Sequence, residues 1–120
     1  MPEYHLAEAE KKFAQLIWKH EPLTSRRLVE LAAQELGWKS TTTYTVLRRL
    51  CDKGIFKNDK GTVTSLITRE EFYSAQSRKF VDDTFEGSLP KFLAAFTSRK
   101  GLSEDEVAEL RKMVQEYGEK

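Results

Sequence analysis

The chain has 120 residues, of which 39% are hydrophobic and 32% are charged. This length fits one ordinary domain or a small domain with an accessory segment, and the composition is typical of a folded, soluble protein. No run approaches the roughly 18–20 consecutive apolar residues of a membrane span, and the first residues lack the layout of a signal peptide. We therefore expect a cytoplasmic protein that does not insert into membranes.

The reactive side chains of the sequence are few. It contains one cysteine, Cys51, and two histidines, His5 and His20, so neither an internal disulfide nor a cysteine-based metal site is expected. We find no nucleophile–base pair, no glycine-rich phosphate loop and no H-E-x-x-H motif. These observations predict that the protein is not an enzyme and that it uses no metal, cofactor or catalytic residue.

Positive charge is concentrated in one segment. Residues 39–61 contain six lysines and arginines against two aspartates, whereas the net charge of the whole chain is +1. The remainder of the chain is therefore net negative. A local excess of basic residues is the electrostatic feature expected of a surface that binds nucleic acid.

Apolar residues at helical spacing predict three helices in the first half of the chain. The predicted helices cover residues 7–19, 24–36 and 40–53. Thr24 is a good N-cap for the second helix, and Gly37 is typical of the residue that follows a helix end. Two helices joined by so short a connection are typical of a helix-turn-helix unit.

The periodicity changes after the third helix. Two β-prone runs, residues 55–57 and 62–67, flank the sequence Asn58-Asp59-Lys60-Gly61, which favours a tight turn. Three short helices followed by a small hairpin form the winged helix-turn-helix pattern. We therefore predict a mainly α-helical fold with a small β-hairpin wing, in which residues 1–68 form a DNA-binding domain.

Beyond the hairpin the sequence predicts helices only. Capping boxes begin at Thr68 and Ser103, and Pro90 suits the first turn of a helix between them. These helices hold too few residues to bury their own apolar side chains, so a second copy of the chain is the most economical partner. We therefore predict a helical dimerisation region over residues 69–120. The side chains assigned to the dimer contact are Phe80, Phe85, Leu89, Phe92, Leu93, Phe96, Leu110 and Val114.

The third predicted helix carries the residues best suited to contact DNA. Its apolar face includes Val46 and Leu50, and the opposite face is rich in threonine and arginine. An α-helix fits the major groove of B-DNA, where threonine can bond base edges and basic side chains can reach phosphates. The side chains assigned to DNA contact on this helix are Ser40, Thr41, Thr42, Tyr44, Thr45, Arg48 and Arg49. The sequence leaves open which arginine contacts a base and which contacts a phosphate.

Residues outside the third helix complete the predicted interface. Lys57 and Lys60 on the hairpin are expected to contact phosphates, and Thr24 and Arg26 are expected to touch the DNA backbone from the second helix. Two alternatives remain. In one, the threonines merely cap a helix whose arginines are solvated, and in the other, the winged helix docks another protein. The basic charge favours DNA, because a protein-docking surface would more often expose apolar side chains.

The order and spacing of several motifs resemble the penicillinase-repressor family of bacterial regulators (BlaI/MecI type), over residues 6–119. The matching stretches are Ala9-Glu10 through Trp18, Thr45-Val46-Leu47-Arg48-Arg49-Leu50, Lys53-Gly54-Ile55, Arg69-Glu70-Glu71-Phe72, Phe85-Glu86-Gly87-Ser88-Leu89 and Leu102-Ser103-Glu104-Asp105-Glu106 with Glu109-Leu110. The resemblance implies a homodimeric repressor that binds double-stranded DNA at a dyad operator in front of β-lactamase or penicillin-binding-protein genes. Other members of the family control genes unrelated to β-lactams, which remains an alternative.

The same resemblance implies how repression is relieved. In that family, a membrane sensor protease that detects β-lactams triggers cleavage of the tail just before a phenylalanine, which corresponds here to the Ala95–Phe96 bond. The residue before that bond is often asparagine in the family, whereas this chain has alanine. We expect the bond to be shielded in a well-packed helix. Tyr44 also departs from the family, which often has a basic or polar residue there, so the operator sequence is expected to differ.

Overall fold

The structure, a computed structural model, describes residues 5–118. Within these residues the helices are α1 (Glu8–His20), α2 (Ser25–Leu36), α3 (Ser40–Asp52), α4 (Arg69–Thr84), α5 (Leu89–Phe96) and α6 (Glu104–Tyr117). The strands are β1 (Leu23–Thr24), β2 (Phe56–Asp59) and β3 (Thr62–Ser65). This arrangement of helices with a small antiparallel sheet confirms the predicted fold class. The chain forms two compact units that divide between Arg78 and Lys79, inside α4.

Local sequence signals account for several helix ends. Thr24 caps α2 by accepting a backbone N–H at 3.0 Å, and Gly37 ends that helix in the left-handed conformation with a φ of 69°. Thr68 and Ser103 precede α4 and α6, and each accepts the N–H of the glutamate three residues later. These caps satisfy backbone donors that the helix itself leaves unpaired. The predicted starts of α2, α4 and α6 therefore agree with the structure.

The three strands form one antiparallel sheet in the order β1-β3-β2. The predicted hairpin is the β2–β3 pair, although β2 begins after Ile55 and continues to Asp59, and β3 ends at Ser65, before Ile67. Lys60 and Gly61 form its turn with φ values of 53° and 91°. Positive φ at both central residues is what the favoured two-residue hairpin turn requires.

Sequence reasoning did not predict β1. This strand has two residues and no alternating pattern, and it is recognised through the pairing of Leu23 with Val63 and of Thr24 with Thr62. Leu23 is buried, so the strand adds to the core while it connects α1 to α2.

The core of the N-terminal unit joins α1, α2, α3, the sheet and the first turns of α4. Its largest fully buried side chains are Phe13, Ile17, Leu28, Leu50, Ile55, Phe56, Val63 and Phe72. The ring of Trp18 lies 5.2 Å from that of Phe56 and 5.4 Å from that of Phe72, and its Nε1 donates to the carbonyl oxygen of Ile67 at 3.1 Å. The first turns of α4 are therefore part of the winged-helix unit.

The C-terminal unit is built around aromatic side chains. The rings of Phe80, Phe85, Phe92 and Phe96 form a chain of contacts with centroid separations between 5.6 and 6.3 Å. No residue of α5 or α6 is buried. The apolar faces of these two helices are thus incompletely covered within one chain.

Candidate nucleic-acid interface

Helix α3 exposes its polar side chains on the side away from the core. Thr43, Val46, Leu47 and Leu50 are buried and attach the helix to the rest of the unit. Every residue of α3 predicted to contact DNA is exposed, namely Ser40, Thr41, Thr42, Tyr44, Thr45, Arg48 and Arg49. The structure therefore brings these seven side chains together on one accessible surface.

The threonine hydroxyls of α3 differ in their partners. Thr45 Oγ1 donates to the carbonyl oxygen of Thr41 at 2.9 Å, which leaves its lone pairs and its methyl group accessible. The hydroxyls of Thr41 and Thr42 make no hydrogen bond to another residue between 5 and 118. Thr43, by contrast, is fully buried and donates to the carbonyl oxygen of Lys39 at 3.1 Å. Three exposed threonines thus keep hydrogen-bonding capacity for an external group.

The two neighbouring arginines of α3 have different surroundings. The Nη1 of Arg49 lies 3.4 Å from Glu10 Oε2, an ion pair between α3 and α1. The side chain of Arg48 makes no ion pair or hydrogen bond with any other residue that the structure describes. It lines a shallow cleft with Tyr44 and Asn58, where α3 meets β2. Of these two arginines, Arg48 is therefore the one whose charge is not neutralised by any residue between 5 and 118.

Glu10 is the acidic centre of a small ionic cluster that the sequence did not predict. Its side chain is 9% exposed, and Oε1 accepts the backbone N–H of Ala7 at 3.0 Å and lies 3.5 Å from Lys53 Nζ. Burial raises the pKa of the Glu10 carboxyl, but the Ala7 N–H and the cations of Lys53 and Arg49 outweigh burial and hold that pKa below its ordinary value. The carboxyl is therefore ionised at neutral pH.

The hairpin turn lies against the start of α2. The backbone N–H of Ser25 donates to the carbonyl oxygen of Gly61 at 2.8 Å, and Asn58 Oδ1 accepts the N–H of Gly61 at 3.0 Å. These bonds hold the turn next to the first residues of α2. The predicted phosphate contacts in this region are all exposed, namely Thr24, Arg26, Lys57 and Lys60.

Cys51 lies at the inner edge of the α3–β2 cleft. Its side chain is half-buried there. Burial and the neighbouring Asp52 carboxylate raise the pKa of its thiol, so the thiol stays protonated at neutral pH. Within the described part of the chain, no group of three or more His, Cys, Asp or Glu side chains is placed to hold a metal ion.

The predicted dimer residues lie on the C-terminal unit with partial or full exposure. Phe80, Leu89, Phe96 and Val114 are exposed, whereas Phe85, Phe92, Leu93 and Leu110 are half-buried. Helix α6 also carries an apolar groove lined by Leu102, Val107, Leu110 and Val114. A large accessible apolar surface of this kind is typical of a protein contact.

The Ala95–Phe96 bond lies in the last turn of α5. The backbone there is helical, because the N–H of Thr97 donates to the carbonyl oxygen of Leu93 at 3.0 Å. The side chains of both Ala95 and Phe96 are exposed, the latter at 65%. The expected shielding by side-chain packing is therefore not provided within the described residues of a single chain, where this bond is part of a helical turn.

The fold and this surface define a winged-helix protein with an exposed polar helix, and comparison with known proteins gives its family. The sequence pattern of the family described as "Penicillinase repressor" matches residues 6–116. The chain belongs to this family, as predicted. The membership makes it a transcriptional repressor, a class of DNA-binding regulator.

Individual relatives match over nearly their whole length. The chain is 24% identical to the methicillin resistance regulatory protein MecI of Staphylococcus aureus (strain Mu50) over 115 residues, which is 92% of this chain and 94% of that protein. It is 26% identical to the penicillinase repressor of Bacillus licheniformis over 116 residues, which is 93% of this chain and 91% of that protein. None of the helices in the described residues is long and apolar enough to cross a membrane.

Proposed function

We propose that this protein is a dimeric repressor that binds a two-fold symmetric DNA operator, with α3 of each copy in a major groove. The exposed surface of α3 carries the proposal, because its accessible side chains from Ser40 to Arg49 are hydroxyl-bearing or basic, and only Asp52 at its last position is acidic. Such groups suit base edges and phosphates, and the helix itself has the diameter of the major groove. The alternative of a protein-docking winged helix would favour exposed aliphatic side chains, and α3 has none on this surface.

The side chains of α3 divide into two expected roles. Thr41, Thr42 and Thr45 can donate to or accept from base edges, and the threonine methyl group can pack against that of thymine. Tyr44 offers an aromatic ring and a hydroxyl on the same surface, where it is 47% exposed. Ser40 stands at the helix N-terminus, where free backbone N–H groups favour a phosphate. Arg48 supplies a cation beside them.

The wing and the start of α2 supply the sequence-independent part of the interface. Lys57 and Lys60 on the hairpin and Arg26 on α2 are exposed cations, and Thr24 lies beside them. The Ser25–Gly61 hydrogen bond keeps the hairpin turn and the start of α2 together. Cations at these positions suit phosphates, which set affinity and register rather than sequence preference.

The proposed dimer is formed by the C-terminal unit. The apolar groove of α6 and the exposed ends of the phenylalanine series leave a surface that water covers in a single chain. Pairing with a second copy buries such a surface by closed two-fold symmetry, which matches the symmetry of a dyad operator. The two winged helices are then linked, and each raises the effective concentration of the other at its half-site.

The proposed targets and signal follow from the relatives' names. One relative is named for penicillinase and another for methicillin resistance, so we place the targets of this chain among β-lactamase or penicillin-binding-protein genes. Cutting at Ala95–Phe96, by a membrane sensor protease or by a protease that it activates, would separate α6 from the winged helix. That separation would relieve repression, because it removes the link between the two DNA-binding heads.

Selection of bound sequences from a random pool of duplexes tests the central claim. The full chain should enrich a site with two related half-sites in inverted orientation, one helical turn or a multiple of it apart. Enrichment of a single asymmetric site would contradict the dimeric mode. Recovery of no sequence above background, with binding that changes only with salt, would contradict sequence-specific repression.

A further inference from the structure

We infer that Arg49 is a positioning residue, which holds α3 in its DNA-reading orientation through Glu10, and that the arginine contacting DNA is Arg48. The inference rests on the proposed function, since it concerns how α3 reads DNA. It assigns distinct roles to two neighbouring residues of the same type, and it adds Glu10 and Lys53 to the residues on which sequence reading depends.

The first support is the geometry of the ionic cluster. Glu10 Oε2 binds Arg49 Nη1 at 3.4 Å, and Oε1 lies 3.5 Å from Lys53 Nζ. Lys53 Nζ also donates to the carbonyl oxygen of His5 at 3.1 Å. Both oxygens of one mostly buried carboxylate are therefore engaged by the C-terminal end of α3. The Glu10 side chain is 9% exposed, whereas that of Arg49 is 54% exposed, so the buried partner is the carboxylate. Removing either cation leaves that carboxylate with fewer compensating groups.

The second support is what the cluster connects. Glu10 lies one helical turn before Phe13, which is fully buried and anchors α1 in the core. Arg49 is adjacent to Leu50, which is also fully buried and anchors α3. The ion pair therefore adds a fixed polar contact beside the apolar one, and the two together restrict rotation of α3 about its own axis. The rotation angle of α3 about its axis determines the direction in which its exposed threonine side chains point.

The third support is the contrast with Arg48. No ion pair or hydrogen bond joins the side chain of Arg48 to another of the described residues, and Arg48 lines the cleft at the wing. An arginine that contacts a phosphate releases counterions, whereas an arginine already paired with a carboxylate contributes little further charge. The slope of log affinity against log salt concentration therefore separates the two roles, at about 0.9 units per phosphate contact on duplex DNA.

The test uses the full chain in four variants: Glu10→Gln, Arg49→Gln, both changes together, and Arg48→Gln. Glutamine in place of Glu10 has nearly the same shape and can still accept the Ala7 N–H, so the start of α1 is preserved. Binding is measured on a duplex enriched from a random pool by the wild-type protein and on a mixed-sequence duplex, each at several salt concentrations. Urea unfolding of the same proteins measures how much the Glu10–Arg49 interaction contributes to stability, independently of DNA.

The expected result has four parts. Glu10→Gln and Arg49→Gln lower affinity for the enriched duplex by similar factors, and the double variant loses no more than either one alone. Their affinity for the mixed-sequence duplex falls less, and both keep the wild-type salt slope. Arg48→Gln lowers the salt slope by about 0.9 units on both duplexes. In urea, the double variant loses less stability than the sum of the losses of Glu10→Gln and Arg49→Gln, because the two side chains interact.

Two outcomes overturn the inference, and they differ from failure of the proposed function. If Arg49→Gln lowers the salt slope as Arg48→Gln does while Glu10→Gln binds like the wild type, then Arg49 contacts DNA directly. If the unfolding shifts of the two cluster variants simply add, then the ion pair does not couple α1 to α3. If the wild-type protein itself shows no sequence preference, the proposed function is contradicted instead. The unfolding measurements would then still test whether Glu10 and Arg49 interact. Arg49→Lys, which keeps a cation for Glu10, should restore most of the preference for the enriched duplex.

Discussion

Ser25 and Gly61 are joined by a hydrogen bond of 2.8 Å, from the backbone N–H of the first residue of α2 to the carbonyl oxygen of the hairpin turn. This bond links two surfaces that carry exposed cations, Arg26 on α2 and Lys60 in the turn. The wing is therefore held against the helix-turn-helix unit by its tip as well as by its strands.

Replacing Gly61 with alanine should lower the free energy of unfolding by about 1–2 kcal/mol. A Cβ at this position meets no atom within 4 Å, so the cost comes from the φ of 91° and not from a clash. Urea unfolding measures the change. Gly61→Asn is the matched control, because asparagine tolerates positive φ better and should recover part of the loss. Equal stability of both variants and the wild type would show that the turn adopts another conformation.

Thr45→Ala should weaken binding to the enriched duplex by roughly 1–3 kcal/mol and leave binding to mixed-sequence duplex nearly unchanged. The reason is that a base contact is lost while the charge of the protein stays the same. Fluorescence anisotropy on both duplexes measures the two affinities. Lys12→Ala, at an exposed position of α1, is the control and should change neither. An equal loss of affinity on both duplexes would show that Thr45 does not contact a base.

Val114→Asp should shift the protein from dimer to monomer. Val114 lines the apolar groove of α6 and is 71% exposed in a single chain. An aspartate there would therefore destabilise the dimer, in which the position becomes buried, and not the folded monomer. Sedimentation equilibrium measures the mass. Ala108→Asp, on the same helix at another exposed position outside the residues lining that groove, should remain dimeric. Identical masses for the two variants would place the dimer contact elsewhere.

A chain that stops at Ala95 should bind the enriched duplex about 10²–10⁴-fold more weakly than the full chain. It lacks Phe96 and α6, so the winged helices of two copies are no longer linked and bind DNA independently. Every residue assigned to DNA contact is still present. On a duplex with one half-site, the full and shortened chains should bind alike. In cells of its own source, full derepression by a β-lactam with the chain still intact would mean that cutting is not the signal.

The ionised Glu10 carboxyl should make the protein less stable in acid. Since its pKa in the folded state is held below the ordinary value, its contribution to stability is complete above the unfolded pKa of about 4.3 and is lost as the pH falls through the lower folded value. Unfolding midpoints measured across that range should fall less steeply for Glu10→Gln than for the wild type. Parallel curves for the two proteins would show that Glu10 is not held in this cluster.

Much of the local structure was predictable, because its causes lie within a few residues of each other. Thr24, Thr68 and Ser103 each cap a helix through a backbone N–H three residues away. The turn chemistry at Lys60 and Gly61 likewise indicated the hairpin. The exposed surface of α3 followed from helical periodicity alone, since burying every third or fourth residue leaves the others in solvent.

The relations that the sequence did not reveal join residues far apart along the chain. Strand β1 exists because Leu23 pairs with Val63, and a two-residue strand carries no period of its own. The different roles of Arg48 and Arg49 were open in the sequence, since both are exposed arginines on one helix. The tertiary structure separated their surroundings by bringing Glu10 to within 3.4 Å of one of them across 39 residues of sequence. Helix capping and periodicity depend on neighbours in the chain, whereas an ion pair or a strand pairing depends on packing of the whole core, which no local pattern encodes.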